Sequence, residues 1–168
     1  YVLIDGHDST DAFGELVASL GASGVSVIQF RDKRLSDRAL LERARLLTQL
    51  TRDTTTLAIV NDRPDLALLA EADGVHVGQD ELTVKDARRI VGLGRLVGVS
   101  THSVEQARAA VLEGANYIGV GPTFPSATKQ FSSFTGIELV KAVQAEIRLP
   151  AFAIGGITLE NLPQVLAA

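Results

Sequence analysis

Short apolar stretches alternate with helix-like stretches along the whole chain. The apolar stretches have the length of buried strands and cover residues 2–4, 25–30, 56–60, 74–77, 96–99, 117–120 and 151–154. After each of them, apolar residues recur at helical spacing, as Phe13, Leu16, Val17 and Leu20 do after the first stretch. The pattern therefore predicts seven strand–helix units in succession.

Local signals indicate where several of these helices begin. Ser36 and Ser103 each precede a helical pattern and can accept a hydrogen bond from its first turn. Pro64 suits the first turn of the third helix, because the missing N–H group costs nothing there. The seventh helix is predicted over 158–166, and Pro163 fits its first turn only if that helix starts late.

Alternating strands and helices predict an α/β chain with a parallel sheet, either a doubly wound open sheet or a (β/α)₈ TIM barrel. One face of nearly every predicted strand carries small or polar residues toward its carboxyl end. Gln29 and Arg31 lie on this face, and we place Gly119, Ala151 and Ala153 there as well. An open sheet would more often carry large apolar residues on both faces, so the pattern favours the barrel.

The length of the chain bears on its domain organisation. The sequence has 168 residues, enough for one domain with a sizeable core, and it reaches Ala168 without an eighth strand. It starts at Tyr1 and contains no methionine. We therefore expect one TIM-barrel domain over residues 1–168 that is truncated at both ends, with the eighth strand beyond Ala168.

Composition narrows the class of function. Hydrophobic residues make up 46% of the chain and the net charge is −4, which is typical of a globular protein. Without a basic tract or a long apolar run, we expect neither a nucleic-acid partner nor a membrane span. The sequence contains no cysteine, so disulfides and thiolate chemistry are excluded within it, and we expect a cytoplasmic protein. A homo-oligomer is compatible with this composition.

Polar side chains follow the predicted strands at their carboxyl ends. The candidates that share this position are Gln29, Arg31 and Lys33, then Asn61 and Asp62, Asp80 and Glu81, Ser100, Ser126, Thr128 and Lys129, and Gly155 and Gly156. Arg31, Lys33 and Lys129 could form a cationic cluster for phosphate in an acidic protein. The alternative is ordinary solvated surface charge. Gln29 argues against it, because an inward-facing amide needs a polar partner.

Three carboxylates accompany this cluster. Asp62, Asp80 and Glu81 could hold Mg²⁺, which one or two carboxylates and phosphate oxygens typically bind. Asp62 could instead cap the third helix, and both roles can hold at once. For Asp80 and Glu81 the alternative is a solvated loop.

Glycines and histidines give weaker signals. Gly155 and Gly156, at the start of the predicted seventh helix, would offer N–H groups to a phosphate. His76 lies in mid-strand, where a core histidine is the favoured interpretation, and His102 could belong to a helix entry. No Ser–His–Asp spacing suggests nucleophilic catalysis.

With these residues assembled, the chain resembles the thiamine-phosphate synthase family. The resemblance rests on motifs that occur in the family's order and cover nearly the whole sequence. They are Gln29-Phe-Arg-Asp-Lys33, Asn61-Asp62, Asp73-Gly-Val-His-Val-Gly-Gln79, Gly98-Val-Ser-Thr-His102, residues 117–129 and Ile154-Gly-Gly-Ile157.

The resemblance implies a (β/α)₈ barrel and a Mg²⁺-dependent alkyl transferase of thiamine biosynthesis. Its small-molecule partners would be 4-amino-5-hydroxymethyl-2-methylpyrimidine diphosphate and 4-methyl-5-(2-phosphoethyl)thiazole in carboxylated form. Dissociative loss of pyrophosphate from the first would lead to thiamine phosphate.

The resemblance also implies roles for individual residues. Arg31, Lys33 and Lys129 would be catalytic. The groups that would hold the pyrimidine diphosphate are Gln29, Arg31, Lys33, Asn61, Ser100 and Lys129, and those that would hold the thiazole phosphate are Ser126, Thr128, Gly155 and Gly156. Mg²⁺ would be bound by Asp62 and by the acid after Gln79.

Two positions depart from the family pattern. Asp80-Glu81 stands where the family usually reads Glu-Asp or Asp-Asp, so Glu81 is the matching ligand and the role could shift to Asp80. Ser126 replaces the first threonine of the family's Thr-x-Thr-Lys loop and keeps its hydroxyl.

Two alternatives belong to other functional classes. A thiazole tautomerase of the same superfamily would need a base, for which His102 is the candidate, and would not need the diphosphate-binding set. The second alternative is a non-catalytic phosphate-binding barrel, and only the two departures from the family pattern, Glu81 and Ser126, support it. The full set of cations and carboxylates favours the synthase.

Overall fold

A computed structural model describes residues 1–125 and 136–168, in which strands and helices alternate throughout. The elements in these ranges are β1 (Val2–Ile4), α1 (Thr10–Ala22), β2 (Val27–Phe30), α2 (Asp37–Thr51), β3 (Leu57–Asn61), α3 (Pro64–Leu69), β4 (Gly74–Val77), α4 (Val84–Val91), β5 (Leu96–Thr101), α5 (Val104–Glu113), β6 (Tyr117–Val120), α6 (Gly136–Glu146), β7 (Ala151–Ala153) and α7 (Leu162–Leu166). Strand pairing is parallel, so the predicted parallel α/β class is confirmed.

The chain divides into two compact units. The first comprises Tyr1–Val77 and Glu81–Val97, and the second comprises Gly78–Asp80 and Gly98–Ala168. Among the described residues, no helix combines the length and the apolar character that crossing a bilayer requires.

In the first unit, β1, β2, β3 and β4 pair in sequence order. Gln29 of β2 lies beside Ile59 of β3, which lies beside Gly74 of β4. Phe30, on the opposite face of β2 from Gln29, meets Phe13 of α1 edge to face, with ring centroids 5.3 Å apart. Helices therefore cover the apolar face, and the polar face of β2 carries Gln29 as predicted.

In the second unit, the end of β5 pairs with β6, and β6 pairs with β7. Gly119 lies beside Phe152, and the rings of Phe152 and Tyr117 are 5.8 Å apart. Paired residues of parallel strands share a face, so Phe152 lies on the face of Gly119. The prediction that Ala151 and Ala153 lie on that face was wrong, because the alternation in this three-residue strand is offset by one position.

Two of the predicted helix caps are confirmed. Ser36 and Ser103 accept hydrogen bonds from Ala39 N and Gln106 N at 3.4 and 3.2 Å. Helix α7, however, begins at Leu162 rather than at residue 158. Thr158 N–H donates to Asn161 Oδ1 at 2.8 Å, and this local bond holds a turn in place of a helix start. Pro163 consequently lies in the first turn, as a late start requires.

Gly98 provides a test of the packing in the second unit. A Cβ atom at this position would overlap the ring of Tyr117, and that ring is buried against Phe152. We expect Gly98→Ala to lower the free energy of unfolding by about 1–3 kcal/mol, as overpacking does elsewhere. Gly94→Ala is the matched control, because an added Cβ there meets nothing within 4 Å. Urea unfolding measures both variants, and equal stability would contradict this account of β5 and β6.

Candidate active site

Gln29 begins the candidate site of the first unit. Its side chain is buried, and its Nε2 donates to the hydroxyl of Tyr1 at 2.6 Å. The Tyr1 ring in turn meets the His76 ring edge on, with centroids 6.5 Å apart. The polar partner that a buried amide needs is therefore an aromatic hydroxyl from the start of the chain.

Arg31 and Lys33 follow directly on β2. The Arg31 N–H donates to Ile4 O at 2.8 Å, so the β1–β2 ladder continues one residue beyond the strand. The Arg31 residue is half-buried and Lys33 is exposed. Within the described part of the chain, neither side chain forms an ion pair with a carboxylate. Both positive charges are therefore available to an anionic ligand.

Asn61 and Asp62 occupy the equivalent position after β3. Asn61 lies beside His76 of β4, and Asp62 N–H donates to His76 O at 2.7 Å. Asp62 has a left-handed backbone conformation, with φ of 60°. The alternative in which Asp62 caps α3 was wrong, because the N-cap residue is Arg63 and no side chain caps this helix. Pro64 at the first helical position has no N–H group for a cap to satisfy.

A cavity of about 350 Å³ opens beside these residues. Lys33, Asn61 and Asp62 line it, together with Phe30 and Val60. Asp32, Asp37 and Arg63 line it as well, so charged groups and apolar side chains share its wall. The first unit thus brings together the polar ends of β2 and β3 at one cavity.

The carboxylates predicted to bind Mg²⁺ divide between the units. Asp62 and Glu81 belong to the first unit and Asp80 to the second. Among the described residues, no group of three or more histidine or acidic side chains is assembled for a metal ion. Mg²⁺ typically needs only one or two carboxylates when phosphate oxygens and water complete its shell. Asp62 and Glu81, both of the first unit, form no ion pair with another described residue, so their carboxylates are available to a phosphate-bound Mg²⁺.

Ser100 and His102 lie at the end of β5 in the second unit. Gln79 Nε2 donates to Ser100 O at 2.6 Å. His102 Nδ1 is 2.5 Å from Gly121 O, and His102 N–H donates to Gln106 Oε1 at 2.7 Å. His102 therefore belongs to the entry of α5, as one prediction had it, and it also fixes the carbonyl group that follows β6. No local pattern in the sequence predicts this second contact, which joins residues 19 positions apart.

Gly155 and Gly156 follow β7 and adopt positive φ angles of 97° and 63°. A side chain at Gly156 would overlap the carbonyl oxygens of Phe124 and Pro125. The structure therefore needs glycine there for the close approach of the loop after β6. The prediction that these glycines begin a helix was wrong, because α7 starts only at Leu162. Ser126, Thr128 and Lys129 lie outside the described residues.

Comparisons with known proteins identify relatives across the whole chain. A family model described as "Thiamine monophosphate synthase" matches residues 1–168. A thiamine-phosphate synthase of Rhodopirellula baltica is 48% identical and is matched over 98% of this chain and 45% of that protein. One of Halalkalibacterium halodurans is 44% identical over 86% of this chain and 69% of that protein. The chain thus spans less than half the length of the first relative.

A solved structure of a related protein has a similar fold. Thiamine phosphate pyrophosphorylase from Pyrococcus furiosus superposes with a TM-score of 0.84 at 31% identity. The match covers 98% of this chain and 79% of that one.

The buried histidine of β4 makes a prediction about acid stability. Burial lowers the pKa of His76 to about 4, from 6.5 in the unfolded chain. Between these two pH values the unfolded chain binds more protons than the folded chain, so the free energy of unfolding falls as the pH falls. The loss approaches about 3 kcal/mol by pH 4 and is absent above about pH 7.

His76→Gln isolates this effect from the carboxylates that titrate in the same range. We expect the variant to lose less stability than the parent between pH 7 and pH 4, measured by urea unfolding at each pH. Parallel profiles for the two proteins would contradict a neutral buried His76.

Proposed function

This chain belongs to the thiamine monophosphate synthase family, and we propose that the full-length protein carries out the synthase reaction. That reaction joins a pyrimidine diphosphate to a thiazole phosphate and releases pyrophosphate. The observation that carries the proposal is the cation Lys33, which lines the cavity of the first unit with Asn61 and Asp62. Neither Lys33 nor Arg31, which precedes it by two residues, has a carboxylate partner among the described residues. We further propose that the fold is a (β/α)₈ barrel.

The cations have a direct role in this chemistry. As the C–O bond to pyrophosphate breaks, negative charge builds on the departing group, and preformed positive charges stabilise it. Arg31 can donate two N–H groups to one phosphate, while Lys33 and Lys129 act as point charges. Because neither Arg31 nor Lys33 has to leave a carboxylate first, this stabilisation requires little rearrangement.

Neutral polar groups would hold the rest of the diphosphate substrate. We assign Gln29, Asn61 and Ser100 to the pyrimidine diphosphate. Ser126 and Thr128 would contact the thiazole phosphate, together with the Gly155–Gly156 turn. We assign the cations to the diphosphate because its departing pyrophosphate group gains negative charge in the reaction.

Asp62, with Asp80 or Glu81, would bind Mg²⁺ together with oxygens of the diphosphate. When bound, the ion would supply a Lewis acid that neutralises charge on the phosphate oxygens. Carboxylates engaged in ion pairs would have to give up those partners first, and these three have none among the described residues. The thiazole nitrogen carries its own lone pair, so the reaction needs no protein base. A tautomerase would leave the cation pair without a function.

An assay of the full-length protein tests the proposal. The protein is mixed with the pyrimidine diphosphate, the thiazole phosphate and Mg²⁺, and pyrophosphate release is followed. We expect release that depends on both substrates. Clear binding of the thiazole phosphate without any release would contradict the synthase function and favour a binding protein.

Lys33→Ala tests the division of the two substrates. Removing a charge-assisted contact costs about 1.5–3 kcal/mol, so binding of the pyrimidine diphosphate should weaken about 10- to 100-fold. Binding of the thiazole phosphate should change less than about twofold, within the effect of a surface substitution. Lys129→Ala is expected to behave in the same way.

Lys85→Ala is the matched control for this experiment. Lys85 is an exposed lysine of α4 and should affect neither ligand. Calorimetric titration measures both affinities for each variant. Equal losses for the two ligands in Lys33→Ala would show that the two sites are not separate.

A further inference from the structure

Asp32 lies between the two cations that follow β2, and its side chain is only 1% exposed. Four donors converge on its carboxylate. Oδ1 accepts hydrogen bonds from the backbone N–H groups of Arg34 and Leu35, at 2.7 and 3.3 Å. Oδ2 accepts from the Gly6 N–H at 3.0 Å and from the Arg34 guanidinium at 3.1 Å. A carboxylate has about four acceptor positions, so this one is fully used.

The saturated carboxylate has a structural role rather than a chemical one. Burial alone raises the pKa of Asp32, but the hydrogen bonds from Arg34, Gly6 and Leu35 outweigh burial and keep the pKa well below its ordinary value. With all its acceptor positions occupied, Asp32 is not available as a metal ligand or as a base. Its negative charge is paired with Arg34, which leaves the charges of its two neighbours for a ligand.

The loop between β2 and α2 depends on this one side chain. Among the described residues, every hydrogen bond that holds residues 32–35 involves the Asp32 carboxylate, apart from an exposed contact between Arg34 and Asp5. The turn that Asp32 closes contains the peptide group of Lys33. Arg31, on the other side, is held by the strand ladder.

The anchor of this loop is itself fixed. The Gly6 N–H binds Asp32, and the Gly6 carbonyl accepts a hydrogen bond from Arg43 Nε at 3.0 Å. Arg43 is buried and stacks over the Phe13 ring in the core of the first unit. A series of contacts therefore runs from the core through Gly6 and Asp32 to the turn that contains Lys33.

We propose that Asp32 is a positioning residue that holds Lys33, beside Arg31, in the geometry that binds the diphosphate. This inference rests on the proposed function for the identity of the anion. It assigns Asp32 no contact with the substrate. The effect of Asp32 must therefore pass through its cationic neighbours.

Binding of inorganic pyrophosphate in the presence of Mg²⁺ tests the inference without turnover. In Asp32→Asn, an amide replaces one acceptor oxygen with a donor, so two of the four hydrogen bonds cannot form. We expect the affinity of the full-length protein for pyrophosphate to fall about tenfold, the size of one lost charged contact. Asp73→Asn is the matched control, because Asp73 accepts a backbone N–H from Ala58 at 2.7 Å near the opposite ends of the strands. It should change the affinity less than about twofold.

A double-mutant cycle distinguishes positioning from general destabilisation. If Asp32 acts through Lys33, Asp32→Asn should cost less than about threefold in a Lys33→Ala background, because the two effects are coupled. The same tenfold loss in both backgrounds would overturn the inference, and so would parent-like affinity of Asp32→Asn. Wild-type protein that binds no pyrophosphate would overturn it as well.

Arg34→Lys keeps the test decisive if Asp32→Asn fails to fold. Arg34 is 70% exposed, so this variant retains its charge and the fold but loses the guanidinium contact with Asp32. We expect about a threefold loss of pyrophosphate affinity that disappears in the Lys33→Ala background, and a loss that persists there would overturn the inference. Coupled losses in a protein that makes no thiamine phosphate would refute the proposed function and leave the role of Asp32 intact.

Discussion

Backbone hydrogen bonds that continue past the ends of the strands hold the candidate site of the first unit together. Ile4 O accepts from the N–H of Arg31, and His76 O accepts from the N–H of Asp62. Each bond fixes the first residue after a strand, which carries a side chain of the candidate site, to the neighbouring strand. Strand residues have few soft degrees of freedom, so a site attached in this way loses little entropy when a ligand binds. The register in which β1, β2, β3 and β4 pair thus also determines where the residues of the candidate site lie.

Buried polar groups and available charges are kept apart in this unit. Gln29, Asp32 and Arg43 are withdrawn from water, and each has hydrogen-bond partners within the protein. Arg31 and Lys33, in contrast, form no ion pair with a carboxylate among the described residues. A buried polar group without a partner would cost about 1–3 kcal/mol, whereas an exposed cation retains its hydration until a ligand replaces it. Hydrogen bonds within the protein therefore satisfy the buried polar groups of this unit, whereas the charges of Arg31 and Lys33 stay without a carboxylate partner among the described residues.

Much of this arrangement could be predicted from the sequence, for physical reasons. Strands such as β4 and β6 are bounded by glycine and by helical patterns, and their limits were predicted to the residue. The face on which the residues of β7 lie was predicted wrongly, because three residues give too few alternations to fix a period of two. The start of α7 was missed because a bond between Thr158 and Asn161 competes with the helix.

The role of Asp32 shows a different limit of sequence reasoning. A carboxylate between an arginine and a lysine suggests a local ion pair, yet its saturation depends on Gly6, which lies 26 positions earlier in the chain. Only the register of β1 against β2 brings that N–H group into reach. Long-range partners of this kind have no local signature, whereas caps and turns do.

His76 joins the scaffold and the site in one residue. Its ring is buried in the neutral form, and its carbonyl oxygen holds Asp62, the residue proposed to bind the metal. Burying a charged imidazole costs free energy, so protonation of His76 favours the unfolded chain. His76 therefore contributes to the scaffold through its buried ring and to the candidate site through its carbonyl oxygen, although the imidazole itself takes no part in the proposed reaction.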